Sequence, residues 1–200
     1  MTTWIILRAA GIGAFVMLFL SVAWGLVATT SILGKRVSKA SATLVHQFMA
    51  SAGLLLLAGH LALVLGDRWV KFTWVDLLVP LHSSFRPVAI GFGVLAMYGT
   101  VLVLASSWAR KQIGTVWWRK LHVWAVPAFT LSMLHGIFSG TDTVRPWMYW
   151  TYVSTGGLVL FLLIVRAFTI GLRPERAARP ERATRPEPAI REERVPALAD

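Results

Sequence analysis

The sequence contains no cysteine in its 200 residues. This absence excludes disulfide bridges, cysteine-ligated iron–sulfur clusters and a haem attached through a Cys-x-x-Cys-His motif. Charged residues are also few, at 14% of the chain, whereas they make up about a quarter of ordinary soluble domains. Hydrophobic residues account for 56% of the chain. This composition predicts a membrane protein and leaves no sizeable soluble core to be built.

Five apolar segments each approach the roughly 20 residues that cross a bilayer. These predicted spans cover residues 12–30, 44–65, 88–105, 121–138 and 147–170. The predicted fold class is therefore all-α, a polytopic membrane protein with a five-helix transmembrane bundle in residues 1–171. Residues 172–200 repeat Arg-Pro-Glu and have little apolar area to bury, so they are predicted to form a disordered C-terminal tail.

Basic residues on alternate connections predict the orientation of the bundle. The first and third connections carry Lys35, Arg36, Lys39, Arg110, Lys111, Arg119 and Lys120. The fourth carries only Asp142 and Arg145. By the positive-inside rule the first and third connections are cytoplasmic, so the N-terminus lies outside and the C-terminus inside. The net charge of +11 then predicts contact with anionic lipid of the bilayer, and nucleic acid is not an expected partner.

Four of the five histidines form two pairs within predicted spans, His46 with His60 and His122 with His135. Ionisable residues inside a membrane are costly and usually face the bundle interior or a cofactor. A helical rise of 1.5 Å per residue separates the members of each pair by about 20 Å, too far to share one ion.

The second and fourth spans run in the same direction, so His46 lies level with His122 (the inner pair) and His60 with His135 (the outer pair). Each level offers two imidazoles across the bundle, which is the ligand set of a bis-histidine haem b. The sequence therefore predicts two haems, one near each face. For any single histidine, a hydrogen-bonded role in the bundle remains an alternative.

The helical phase tests this prediction. Fourteen residues return to nearly the same helix face, but thirteen leave His122 and His135 on different faces of a straight helix. Pro127 lies between them, and we expect a helix break there to correct the phase. Phe129, near the midpoint, either fills the gap between the two macrocycles or packs in an ordinary core. The fifth histidine, His82, is predicted to be a solvated residue of the outer connection.

Several short motifs also resemble a known family. They are Trp-Arg-Lys-Leu-His at 118–122, Pro127, Leu-His-Gly at 134–136, Arg-Pro at 86–87, Arg-Lys at 110–111 and Gly-Thr-Asp at 140–142. Together they resemble the ferric reductase-like transmembrane domain family, which includes NADPH oxidases, ferric-chelate reductases and the membrane haem subunit of the bacterial methionine sulfoxide reductase system. The similarity covers about residues 10–170 and is greatest to small bacterial members.

The resemblance implies a multi-pass protein of the bacterial plasma (inner) membrane, with two b-type haems relaying electrons from the cytoplasmic to the outer face. The implied axial ligands are His46, His60, His122 and His135. Complete oxidases and iron reductases of the family also have a cytosolic flavin and nicotinamide domain, which has no counterpart here. We therefore expect FAD, FMN or a quinol to act only through a partner. Oxygen-reducing relatives carry a further histidine where this chain has Val64.

The predicted function is a di-haem membrane cytochrome b that carries electrons from a separate cytoplasmic flavoprotein or quinol donor to an outer acceptor. Such a chain is the membrane subunit of an oxidoreductase, and whether it is an enzyme by itself stays open. Two rival functions are a non-redox haem-handling or anchoring subunit and a histidine-based proton or metal transporter. A transporter more often has carboxylates within its spans, whereas Asp67, Asp76 and Asp142 all fall in connections.

Basic residues near the predicted haem levels are candidates for pairing with haem propionates. The inner candidates are Arg36, Lys39, Arg119 and Lys120, and the outer candidates are Arg86 and Arg145. Each of them serves equally well as an anchor to lipid headgroups.

Overall fold

The structure is a computed structural model that describes residues 2–30, 37–67 and 70–171. Every regular element in these ranges is a helix, which confirms the all-α class. The seven helices are α1 (Thr2–Thr29), α2 (Lys39–Leu65), α3 (Trp74–Leu78), α4 (Pro87–Trp108), α5 (Arg110–His122), α6 (Ala125–Ser139) and α7 (Pro146–Gly171). The predicted disordered tail, and Lys35 and Arg36 of the first connection, lie outside the described residues.

Four helices, α1, α2, α4 and α7, are each long and apolar enough to cross a membrane, and α5 with α6 forms a bent fifth candidate. Large apolar side chains such as Leu55 and Phe168 point away from the bundle and are exposed. A helix satisfies its own backbone hydrogen bonds, which is the requirement for an element surrounded by lipid. The chain is therefore a multi-pass membrane bundle.

The first helix is longer than the first predicted span. The helix begins at Thr2 rather than at residue 12 and continues to Thr29. Arg8 lies in the added stretch, and its guanidinium is paired with Asp142 from the connection between α6 and α7. A paired charge costs much less inside an apolar helix than an isolated one, so the helix passes through it.

The fourth predicted span, residues 121–138, is two helices rather than one. α5 ends at His122, α6 begins at Ala125, and their axes differ by 43°. Pro127 has no N–H, so the carbonyl of Val123 loses its usual helical donor. It instead accepts a hydrogen bond from the N–H of Val126 at 3.1 Å. The expected break is thus present, one turn before the proline. The preceding connection is also largely helical, with a kink at Gly114, whose φ is 77°.

Two helix pairs form the body of the bundle. α1 packs along α2, and α4 packs along α6, while α7 covers α1 and α6. Gly53 allows the first contact to be close, because a Cβ there would lie 2.9 Å from the Leu18 side chain. Within the described residues, α2 has no comparable backbone packing against α4 or α6. A cleft therefore separates the helices that carry the two histidine pairs.

Candidate functional site

The inner pair faces across this cleft. The ring centroids of His46, in α2, and His122, at the end of α5, are 6.0 Å apart. Two imidazoles on opposite sides of one metal, each with a nitrogen–metal bond of about 2 Å, have centroids separated by about 6 Å. The two rings are therefore close enough for both to bind one metal.

The outer pair lines a cavity of about 250 Å³. His60 enters it from α2 and His135 from α6. The lining is predominantly apolar and includes Phe15, Leu57 and Met97. A mostly apolar cavity with two convergent imidazoles is suited to a flat hydrophobic cofactor that needs one ligand on each side.

Three of the four histidines direct Nδ1 at a backbone carbonyl of a neighbouring helix. The Nδ1–O distances are 3.0 Å for His46 to Ser21, 3.1 Å for His60 to Leu7 and 2.8 Å for His135 to Ala89. A carbonyl oxygen only accepts, so Nδ1 must donate and the proton of the neutral ring is on Nδ1. This leaves the Nε2 lone pair available, which is the usual arrangement of a histidine that binds a metal.

His122 differs from the other three. Its Nδ1 is buried and has no hydrogen-bond partner among the described residues. The ring instead lies against Trp118, with centroids 5.0 Å apart, and the Arg110 guanidinium covers the same tryptophan at 4.2 Å. The orientation of His122 thus depends on aromatic packing next to the helix break.

An aromatic layer separates the two levels. Phe129 is 4% exposed and stacks on Phe15, with ring centroids 5.6 Å apart, and it also contacts Phe19 at 5.9 Å. Tyr152 from α7 meets the other side of Phe15 edge-on. Phe129 is therefore a core residue, and the layer to which it belongs fills the bundle between the outer cavity and the inner pair.

The outer cavity contains an ion pair that the sequence analysis did not assign to the site. Arg8 donates from Nε to Asp142 at 2.9 Å, and both residues line the cavity. The Asp142 side chain is only 15% exposed. A lone arginine in an apolar segment and an acid in the only acid-bearing short connection were the available signals, because a charge at such a depth requires a partner.

The outer cations predicted for propionate pairing lie elsewhere. Arg86 and Arg145 do not line the cavity. Arg86 donates from Nη1 to the Phe138 carbonyl at 2.8 Å. This hydrogen bond links the beginning of α4 to the end of α6. Among the described residues that line the outer pair's cavity, Arg8 is therefore the one arginine or lysine.

The inner cations are exposed near the ends of their helices. Lys39 begins α2, whereas Arg119 and Lys120 lie within one turn of His122. Lys120 also covers the Trp117 ring at 4.7 Å. Arg36 lies outside the described residues.

His82 lies between α3 and α4, in the connection predicted to be on the outer side, and its Nδ1 is 2.9 Å from Asp76. Asp76 also accepts from the hydroxyl and the backbone N–H of Thr73, at 2.7 and 2.8 Å. These bonds, with the Thr73 hydroxyl contributing most, hold the pKa of the Asp76 carboxyl at about 2. His82 is about half exposed and is paired with this carboxylate rather than with the outer histidine pair.

No family model, curated protein or solved structure matches this chain. The resemblance to ferric reductase-like membrane domains therefore stays a prediction. Within the described residues, no three histidines, cysteines or acids converge as a polydentate metal site. A bis-histidine haem needs only two protein ligands at each level, so this finding does not bear on haem binding.

Proposed function

We propose that this chain is a di-haem membrane cytochrome b that carries electrons across the bacterial plasma membrane. The donor is a separate cytoplasmic flavoprotein or quinol, and the acceptor lies on the outer side. In this role the chain is the membrane electron-transfer subunit of an oxidoreductase. The observation that carries the proposal is the set of three Nδ1–carbonyl bonds, which orient the imidazoles of His46, His60 and His135 for metal binding.

The residues present are suited to two b-type haems. His46 and His122, whose ring centroids are 6.0 Å apart, would hold the inner one. His60 and His135 would hold the outer one in the apolar cavity, where Arg8 offers a cation for a propionate. A bound haem supplies one-electron redox chemistry, and the protein tunes its potential through ligand identity, burial and nearby charge.

Each part of the chain then has a physical task. The backbone carbonyls hold a proton on Nδ1 and leave the Nε2 lone pair available to a metal. The apolar lining excludes water, which strengthens the influence of Arg8 and Asp142 on the outer site. The layer formed by Phe15, Phe19 and Phe129 excludes lipid and water between two levels that lie about 20 Å apart along the helices.

The distribution of charge supports the proposed direction across the membrane. The acids of the described residues, Asp67, Asp76 and Asp142, lie towards the outer pair. The basic ends of α2 and α5 lie towards the inner pair, as expected for the cytoplasmic side. Anionic lipid and an electron donor therefore meet the inner end, and the acceptor meets the outer end.

The test is haem stoichiometry. Protein produced with ample haem and purified in detergent should contain two haems b per chain by pyridine haemochrome assay, with low-spin bis-histidine spectra. After reconstitution of the protein into vesicles, an added flavin reductase or quinol should reduce the haems. Ferric chelate outside the vesicles should then serve as the electron acceptor. A folded protein that binds no haem, and that transports protons or metal ions, would contradict the proposal and favour a transporter.

A further inference from the structure

The three anchored histidines share one local construction. In each case, the residue four positions after the accepting carbonyl, on the same helix, is a glycine. The carbonyl–glycine pairs are Leu7 with Gly11, Ser21 with Gly25 and Ala89 with Gly93. The same device thus occurs twice on α1 and once on α4.

The geometry explains the glycine. In a helix, the carbonyl of residue i already accepts from the N–H of residue i+4, so a ring that approaches this carbonyl must pass beside residue i+4. A Cβ at Gly93 would lie 2.7 Å from Nδ1 of His135, and one at Gly11 would lie 2.9 Å from Nδ1 of His60. Both distances are shorter than real Cβ contacts, so any side chain there would displace the imidazole.

The third contact is looser. A Cβ at Gly25 would lie 3.4 Å from the His46 ring, which is an ordinary van der Waals distance. The register on α1 nevertheless matches the register on α2. Gly11 and Gly25 are separated by fourteen residues, as are His60 and His46, so two helices packed in opposite directions bring both glycines opposite both rings.

We infer that Gly11, Gly93 and, less strictly, Gly25 are positioning residues that let a backbone carbonyl fix the orientation and the proton position of a histidine. Both histidines of the outer pair depend on a strict glycine. The inner pair has only the looser Gly25 contact and the unanchored His122. This inference rests on the proposed haem-binding function, for which it defines the geometry of the ligands.

The experiment compares single alanine variants at these glycines. Gly93→Ala and Gly11→Ala should weaken retention of the outer haem by roughly 10–100-fold, the usual effect of losing a partner that orients a metal ligand. They should also change its EPR g values and its midpoint potential. Gly25→Ala should change the inner haem less than tenfold. Because the inner haem has its own spectrum, its presence in Gly93→Ala reports that the variant is folded.

Two further glycines on α2 are matched controls. Gly59 adjoins His60, but a Cβ there would meet nothing within 4 Å, so Gly59→Ala should leave both haem spectra unchanged. Gly53 contacts Leu18 and no histidine, so Gly53→Ala should lower stability without a selective change at one haem. A selective outer-haem change in Gly53→Ala matching that in Gly11→Ala would mean that helix packing alone is responsible, and would overturn the inference.

His60→Ala separates this inference from the proposed function. If it removes one haem while Gly11→Ala and Gly93→Ala keep the wild-type spectra and potentials, the positioning role is wrong and the cytochrome function stands. If His60→Ala retains two haems, the ligand assignment itself fails, whatever the glycine variants show.

Discussion

The outer and inner histidine pairs are built with different degrees of constraint. In the outer pair, His60 and His135 both lie within continuous helices, and each donates to a carbonyl beside a glycine. In the inner pair, only His46 has such a partner. His122 is the last residue of α5 and packs on Trp118.

The difference has its origin in the helix break. A straight helix cannot direct two residues thirteen positions apart to one side, so the chain bends between them. At the bend, the His122 ring lies 6.0 Å from that of His46, and its Nδ1 has no hydrogen-bond partner among the described residues. His122 therefore lacks the backbone anchor that the other three histidines have.

The largest expected effect is the loss of one haem from either level. In the proposed cytochrome, each haem would have only two protein ligands. His135→Ala should therefore remove the outer haem and leave the inner spectrum intact, and His122→Ala should do the reverse. Absorbance and EPR of the purified variants, normalised to protein, measure this.

The matched control for these variants is His82→Ala, because His82 pairs with Asp76 but does not itself line the outer cavity. It should retain both spectra. Loss of both haems from His135→Ala in a protein that remains monodisperse would show that the two levels are not independent, and the comparison between them would no longer hold.

The second prediction concerns the layer that the two levels share. Phe129→Ala should lower the free energy of unfolding by about 3–5 kcal/mol, since it leaves a cavity where three aromatic rings meet. Haem release on heating should then occur at lower temperature for both levels. Phe168→Ala, which removes an exposed ring on α7, should have little effect on either. Accelerated release from only one level would assign the layer to that site alone.

Much of this arrangement follows from patterns that a sequence displays. Apolar length predicts the spans, and the intervals between histidines predict two separated pairs. The phase conflict between His122 and His135 predicts a break near Pro127, which the structure has between His122 and Ala125. These features depend on contacts or covalent geometry that are local along the chain.

Other features depend on contacts between distant segments, and these were missed. Nothing near Arg8 in the chain indicates that Asp142 is its partner, so Arg8 was left out of the predicted site. The roles of Gly11 and Gly93 likewise appear only when α1 meets α2 and α4 meets α6. Backbone carbonyls, which anchor three of the histidines, carry no signal in the sequence at all.

The third prediction alters the helix break. Pro127→Ala restores a backbone donor to the Val123 carbonyl, so α5 and α6 should straighten and His122 should turn away from His46. We expect weaker retention of the inner haem and an unchanged outer haem. Pro146→Ala is the control, because Pro146 is the first residue of α7, where no helical donor is needed. An unchanged inner spectrum in Pro127→Ala would mean that packing on Trp118, and not the proline, fixes His122.

The fourth prediction uses the charges of the outer cavity. Arg8→Gln removes a cation near the outer haem. Because the oxidised haem carries one more positive charge than the reduced haem, loss of the cation should stabilise the oxidised state and lower the midpoint potential. Asp142→Asn removes an anion and should raise the same potential. Spectroelectrochemical titration should show the two opposite shifts at the outer haem and almost none at the inner one. Equal shifts at both haems would mean that the ion pair acts through the fold rather than through its local field.

The smallest expected effect is acid sensitivity at the outer connection. Hydrogen bonds from Thr73 and His82 hold the pKa of Asp76 at about 2, below its ordinary value of 3.8. Because the folded pKa is the lower one, the stabilisation is present above a pH of about 3.8 and is lost as the pH falls through about 2. Thr73→Ala removes the largest contribution, so the pKa of Asp76 should rise towards 3.8, by NMR titration of the carboxyl carbon.

His82→Ala should raise the pKa of Asp76 less than Thr73→Ala does, because the His82 bond contributes less. The Asp76 side chain is partly buried, with 14% exposed, and it lies in a short helix, α3, so the accompanying change in stability should be small. It should also be confined to one end of the protein, since Asp76 lines the outer cavity and the basic ends of α2 and α5 flank the inner pair. A difference between Thr73→Ala and the unaltered protein at pH 3 should therefore be visible in the outer spectrum alone. The same difference in the inner spectrum would mean that the outer connection stabilises the whole bundle rather than one of its two sites.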